Sequence, residues 1–191
     1  MAKLYFKYGA MGSSKSAQAL ITKFNYEERG MKVWLIKPSV DTRASLDLVY
    51  SRIGLTAKCT PIFPEMSIWE QFENTLAQKV DVIIADESQF FTPSQIDDMR
   101  KIVDELDVPV ICFGLRTDFR TRFFPGSQRL MEIADKIIEI KNICECGRKA
   151  TVNARIDDNG NVITEGEQVL LGGEERYTAM CHRCWAKEIK R

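Results

Sequence analysis

Short apolar runs alternate with amphipathic stretches along the first 140 or so residues. Lys3 to Tyr8 reads as a strand. After a polar, glycine-bearing turn, Ala17, Leu20, Ile21 and Phe24 recur at the spacing of one helix face, which predicts a helix to about Arg29. Lys32 to Lys37 predicts a second strand. Ser67-Ile-Trp-Glu70 has the form of a capping box, and the helix it opens presents Trp69, Phe72 and Leu76 on one side. Val80 to Ala85 is an apolar run broken only by Asp81, as in a strand covered on both faces. Thr92-Pro-Ser-Gln95 opens another helix, with Pro93 at its first position and Ile96, Met99, Val103 and Leu106 spaced to face a core. Val108 to Gly114 is the next strand. This alternation predicts an α/β fold, a mostly parallel sheet flanked by helices. Beyond residue 141 the pattern loosens: Ala150 to Ile156 and Gln168 to Leu171 look strand-like, among Gly160, Gly166, Gly172 and Gly173.

A chain of 191 residues has room for one ordinary domain and a small appendage. Its 45% hydrophobic and 28% charged residues argue against disorder. Lys plus Arg and Asp plus Glu number 27 each, so the formal net charge is zero. That balance argues against a protein that grips a nucleic acid polymer through phosphates, and against polybasic attachment to a membrane. The opening MAKLYFKYGA is interrupted by Lys7 and Gly9, so it does not read as a signal peptide. No stretch approaches the roughly 18 to 20 apolar residues of a membrane span. The expected location is the cytoplasm, where thiols stay reduced.

The six cysteines then need another reason. Cys59 and Cys112 stand alone, and Cys112, inside Val-Pro-Val-Ile-Cys-Phe, reads as a small core hydrophobe. Cys144-Glu-Cys146 and Cys181-His-Arg-Cys184 are two pairs of closely spaced soft ligands, which point to a tetrahedral zinc site. Free thiols or a redox pair are the other readings. His182, the only histidine, is read as a bystander. The segment between the pairs, Gly147 to Met180, is longer than the gap in a compact zinc finger, so zinc would clamp the base of a loop able to act as a lid. The division expected is residues 1–141 for nucleotide binding and 142–191 for the zinc-bound lid. The latter carries 8 basic and 8 acidic side chains and so has no bias toward nucleic acid.

Gly9-Ala-Met-Gly-Ser-Ser-Lys-Ser16 has the outline of a P-loop between a strand and a helix. There, successive backbone N–H groups and a helix N-terminus surround phosphate oxygens, Lys15 reaches the outer phosphates, and the Ser16 hydroxyl helps to hold Mg²⁺. Ser14 stands where the pattern has its second glycine, and if φ must be positive the serine costs about 1 kcal/mol. The plainer reading is an ordinary turn before a helix. The apolar strand ends in Asp86-Glu87, where a P-loop protein places the carboxylate that orders the Mg²⁺ shell. Asp86 fits that role and Glu87 that of general base; the plainer reading is two solvated acids. Glu87 would activate water in an ATPase, or deprotonate a hydroxyl in a kinase. A short, neutral chain with a lid favours a small-molecule kinase, which must shield the phosphoryl group from water. The alternatives are a P-loop ATPase whose zinc module recruits a nucleic-acid or protein partner, and a zinc-stabilised binding module with a vestigial P-loop.

Gly9-Ala-Met-Gly-Ser-Ser-Lys-Ser16, Asp86-Glu-Ser-Gln-Phe-Phe91, Gly114-Leu-Arg-Thr-Asp-Phe119, the paired cysteines and Gly172-Gly-Glu-Glu-Arg-Tyr177 occur together and in order. This set resembles the type II thymidine kinases, the zinc-containing cellular and bacterial kind, along essentially the whole chain, and the bacterial branch in particular. The resemblance implies a P-loop (RecA-like) fold plus a small C-terminal zinc-bound lasso domain. It implies transfer of the γ-phosphoryl group of ATP to the 5′-hydroxyl of thymidine, giving dTMP for pyrimidine salvage. It makes Glu87 the base and places ATP against Gly9, Ala10, Met11, Gly12, Ser13, Ser14, Lys15, Ser16, Asp86, Glu87, Ser88 and Gln89. Ser16 and Asp86 fall in the Mg²⁺ shell, and Cys144, Cys146, Cys181 and Cys184 hold zinc. The lasso, with Leu170 and Tyr177, closes over the nucleoside and binds thymine largely through backbone groups. Met11, Phe90, Leu115, Phe119 and Phe124 pack around the base, although each aromatic taken alone reads as core. Asp41-Thr-Arg43 resembles an element near the phosphates, and Arg43 or Arg52 would stabilise negative charge on the transferring group. The resemblance also implies a homotetramer and feedback inhibition by dTTP.

Overall fold

The computed structural model describes residues 1–41, 45–75, 80–168 and 176–190. Strand β1 (Leu4–Tyr8) leads through the glycine-bearing turn into helix α1 (Lys15–Glu27) and strand β2 (Val33–Pro38). A small hairpin, β3 (Leu48–Tyr50) with β4 (Thr56–Lys58), precedes β5 (Thr60–Ile62), helix α2 (Ile68–Thr75) and β6 (Val82–Ala85). A 3₁₀ turn at Ser88–Phe90 is followed by α3 (Pro93–Leu106), β7 (Val110–Gly114), α4 (Pro125–Ile133) and β8 (Lys136–Glu139). Then come β9 (Val152–Ile156), β10 (Val162–Ile163), β11 (Tyr177–Met180) and α5 (His182–Glu188). Among the described residues no helix is long and apolar enough to cross a membrane.

Six strands form a parallel sheet in the order β5-β2-β6-β7-β1-β8. Every residue of β6 and β7 is buried, because helices cover both faces. On one face Phe6, Trp34, Ile36, Phe72, Ile96, Met99 and Ile102 pack together; on the other, Ala19, Leu20, Leu35, Val49, Ile84 and Phe113 do so. Cys112 lies wholly in the first of these layers, and burial pushes its thiol up to about 12. A separate antiparallel sheet, β10-β9-β11, carries the C-terminal segment.

Helix α3 follows its sequence signals: Thr92 and Gln95 form a reciprocal capping box with Pro93 at the start. Ile96, Met99 and Val103 are buried with Ile102, while Leu106, the last residue of the helix, is exposed. At α2 the Ser67 hydroxyl accepts from the Glu70 N–H at 3.2 Å and Phe72 is buried; Leu76 lies outside the described residues. Helix α1 departs from expectation. Ala17, Ala19 and Leu20 are buried, whereas Ile21 and Phe24 are 46% and 59% exposed. The helix rests on its small residues, which let its backbone approach the sheet, and the bulky pair is left on the outer flank. Of the stretch Gln168 to Leu171, Gln168 is not in a strand and the rest lies outside the described residues.

Candidate active site

Parallel strands deliver their carboxyl ends to one edge of a sheet, and β6, β7 and β1 are neighbours. Three loops therefore emerge side by side: residues 9–14 after β1, Asp86–Glu87 after β6, and residues 115–124 after β7. In the first, a Cβ on Gly9 would stand 2.5 Å from the Ile140 carbonyl oxygen, so only glycine lets the loop lie so close to the end of β8. Ser14 has φ +62°, the left-handed conformation anticipated for the missing glycine. Lys15 is buried, and its Nζ donates to the Ala10 carbonyl at 2.9 Å and to Ser13 Oγ at 3.3 Å, inside the curve of the loop. Both backbone groups of Met11 are held by side chains from the C-terminal segment. Its N–H donates to Asn153 Oδ1 at 2.7 Å, and its carbonyl accepts from Asn142 Nδ2 at 2.7 Å.

Asp86 and Glu87 are both buried. Glu87 has φ +49°, so the chain turns sharply at the residue that carries the candidate base. A left-handed non-glycine residue stores of order 1 kcal/mol and persists only where its surroundings dictate it. Here the surroundings are specific: Gln89 Nε2 donates to Glu87 Oε2 at 2.5 Å, and Gln89 Oε1 accepts from the Leu115 N–H at 2.9 Å. A Cβ on Gly114 would stand 2.8 Å from Gln89 Oε1, so the glycine at the end of β7 is what admits this amide. On the other flank, fully buried Lys37 donates to the Ser45 and Leu48 carbonyls and pairs with Asp41 at 3.4 Å. The Arg52 guanidinium reaches the phosphate loop, with Nη1 4.0 Å from where a Cβ on Gly12 would stand. Arg43 lies outside the described residues.

The loop after β7 is organised by Asp118, whose Oδ1 accepts from the N–H groups of Arg120 and Arg122, both at 2.9 Å. It buries Phe119 and Phe124, and Phe124 meets Phe90 edge to face at 5.5 Å. Met11 and Leu115 are half-buried, and Leu170 lies outside the described residues. Two residues that the motifs did not reveal come from β9. Asn153 and Arg155 alternate with Val152 and Ala154, so the two polar side chains share one face of the strand. Arg155 is only 5% exposed. Its guanidinium lies 3.8 Å over the Phe119 ring, its Nε donates to the Tyr177 hydroxyl at 2.9 Å, and its Nη1 donates to the Glu167 carbonyl at 2.9 Å. Gln168 Nε2 donates to Asp118 Oδ2 at 3.1 Å. The visible signal was that alternation: a polar face on a strand otherwise apolar enough to be buried.

The four paired cysteines converge, with all their Sγ atoms within 4.8 Å of one another and Cys146 Sγ 3.6 Å from Cys181 Sγ. Tetrahedral zinc at about 2.3 Å from each sulfur puts the sulfurs about 3.8 Å apart, so this donor set fits the metal. Cys181 caps α5, and the Cys184 N–H donating to its sulfur holds that thiol down to about 6. Backbone N–H groups of Cys181 and Cys146 likewise lower Cys144. His182 stands against the Trp185 ring, outside the cluster. Ala10 of the loop after β1 packs against Cys144, Ala150 and Cys181, so the cysteine cluster abuts that loop.

Comparison with known proteins places this geometry in context. A family model described as thymidine kinase matches residues 2–185. A thymidine kinase from Zymomonas mobilis is 43% identical over 190 residues, which cover 99% of this chain and 98% of that protein. One from Legionella pneumophila is 46% identical over 183 residues, covering 95% of this chain and 88% of that one. Among solved structures, a Pif1 helicase from Candida albicans aligns with a TM-score of 0.45 at 15% identity, over 74% of this chain and 36% of that one. A likeness that slight carries no weight.

Proposed function

The chain belongs to the thymidine kinase family, and on that footing we propose that Glu87 is the general base in transfer of the γ-phosphoryl group of ATP to the 5′-hydroxyl of thymidine. The observation that carries this reading is the placement of Glu87. It sits on a left-handed corner beside the aromatic loop, at the same sheet edge as the phosphate loop, with Oε2 oriented by Gln89. The triphosphate lies along the backbone N–H groups of residues 9–16 and the N-terminus of α1, and Lys15 neutralises its outer charge. Ser88 and Gln89 flank it on the β6 side. Ser16 and Asp86 offer a hydroxyl and a carboxylate, hard oxygen donors suited to Mg²⁺, which supplies charge neutralisation when bound with ATP. Glu87 takes the proton of the 5′-hydroxyl as that oxygen attacks the γ-phosphorus, the bond to the β-phosphate oxygen breaks, and ADP leaves. The Gln89 amide holds the position of Oε2. Arg52, with Arg43, stabilises charge on the transferring group.

The thymine ring packs among Met11, Phe90, Leu115, Phe119 and Phe124, beneath a lasso that includes Leu170 and Tyr177. Residues 1–141 form the nucleotide-binding part and 142–191 the lid. Zinc held by Cys144, Cys146, Cys181 and Cys184 has a structural role there. The same reading includes a cytoplasmic homotetramer inhibited by dTTP. The rival, a P-loop ATPase whose zinc module recruits nucleic acid or a protein, is not favoured by the family match.

Replacing Glu87 by Gln tests the reading. We expect ATP and thymidine to bind within a few-fold of the parent while kcat falls about 10²- to 10⁴-fold, the usual contribution of a positioned base. Turnover at the parent rate removes Glu87 from the role. Phosphorylation product with ATP and DNA but none with ATP and thymidine overturns the choice of substrate.

A further inference from the structure

Resting on the reading above, we infer that Asn153 is a positioning residue that sets the phosphate loop in register with the acceptor loop. It belongs to neither loop. It stands on β9, in the C-terminal sheet, and is 4% exposed. Its Oδ1 accepts from the Met11 N–H at 2.7 Å, and its Nδ2 donates to the Thr117 carbonyl at 3.0 Å. The orientation of the amide is unambiguous, since a backbone N–H only donates and a carbonyl only accepts. Met11 is in the loop that holds the donor's phosphates, and Thr117 is in the loop that carries Phe119 and Phe124. One rigid amide therefore spans the two halves of the reaction. The loops are also joined where their strands end, by the Gly9 N–H to the Gly114 carbonyl at 3.3 Å. Asn153 adds a second point farther out, and two points fix an angle where one does not.

Asn142 is a natural control. It grips the same residue of the phosphate loop, through the Met11 carbonyl, but its remaining bonds, from the Ile143 and Ala150 N–H groups, stay within its own segment. It holds the donor side alone. In-line transfer needs the reacting atoms about 3 to 3.5 Å apart, and a displacement near 1 Å costs about 10²-fold in rate. Loss of Asn153 is therefore felt in the chemical step with both substrates bound, and loss of Asn142 mainly in the binding of ATP.

The test measures kcat and both KM values at saturating co-substrate, together with the fraction of ATP lost to water while thymidine is present. Asn153→Asp keeps the acceptor for Met11 but sets an oxygen against the Thr117 carbonyl; Asn153→Ser is too short to reach both loops. We expect either to lower kcat about 30-fold or more and to raise the hydrolysed fraction about five-fold or more, because the phosphoryl group is presented to a misaligned acceptor. We expect Asn142→Ala to raise the KM for ATP about ten-fold with kcat within about three-fold of the parent. Melting temperature and zinc content identify folded enzyme, and if the Asp variant does not fold the Ser variant is read alone. A purely structural residue would lower the melting temperature and leave kcat per folded molecule and the hydrolysed fraction unchanged, and that result overturns the inference. So does a loss of kcat in Asn142→Ala as large as in the Asn153 variants. A parent protein that makes no thymidine monophosphate overturns both this inference and the proposed function; a productive parent with unchanged variants overturns the positioning role alone.

Discussion

Ser14 and Glu87 both hold left-handed backbone, with φ +62° and +49°, and only the first was legible in advance. The P-loop pattern places a glycine where Ser14 stands, so a positive φ followed from a backbone rule. At Glu87 the turn is held by Gln89, two residues on, whose amide is fixed in turn by the Leu115 N–H at the end of β7, and that distant partner leaves no local mark. The strain at Ser14 is testable. Ser14→Gly relieves about 1 kcal/mol of steric cost but gives up about 0.5 to 1 kcal/mol of chain entropy, so the free energy of unfolding in urea should stay within about 1 kcal/mol of the parent. Ser14→Val, β-branched in the same conformation, should lose about 2 kcal/mol and bind ATP more weakly. A Val variant as stable as the parent would mean that the loop relaxes out of the left-handed state.

At the scale of elements, β9 departs most from what its residues announce. Ala150 to Ile156 reads as an ordinary strand, yet its polar face reaches the loop after β1 through Asn153 and the loop after β7 through Arg155. Arg155 bonds both the Glu167 carbonyl and the Tyr177 hydroxyl while resting on Phe119. Arg155→Met keeps the length and the packing surface but loses every donor. Each charge-assisted hydrogen bond of this kind contributes about 1.5 to 3 kcal/mol, so the KM for thymidine should rise about ten-fold or more with the KM for ATP within about two-fold. Lys should not rescue it, because a point charge cannot match a planar fork that serves a hydroxyl, a carbonyl and a ring at once. An equal rise in both KM values would assign Arg155 to the fold in general. Helix α1 teaches the complementary lesson. Its apolar residues at helical spacing include Ile21 and Phe24, and periodicity alone cannot say which part of a broad stripe a sheet will cover.

For the whole molecule, the cysteine cluster packs directly on Ala10, so the C-terminal segment is built against the loop after β1. Replacing Cys181 and Cys184 together by Ser, or stripping the metal with a strong chelator, should abolish zinc binding. Amide protection across residues 142–191 should then be lost while β6 and β7 stay protected, as hydrogen exchange would show. Loss of protection throughout the sheet would mean that the two parts fold as one unit. The P-loop, the Asp86-Glu87 pair, the cysteine spacing and the α/β alternation were determined by the sequence alone, because each is a pattern among residues a few positions apart, where covalent geometry limits the outcomes. Only the tertiary structure decided that β6, β7 and β1 lie side by side, that the Leu115 N–H at the end of β7 fixes the Gln89 amide against Glu87, and that Asn153 reaches a loop 142 residues earlier. Such contacts depend on strand order and on how the C-terminal sheet seats against the first, and no local spacing carries that information.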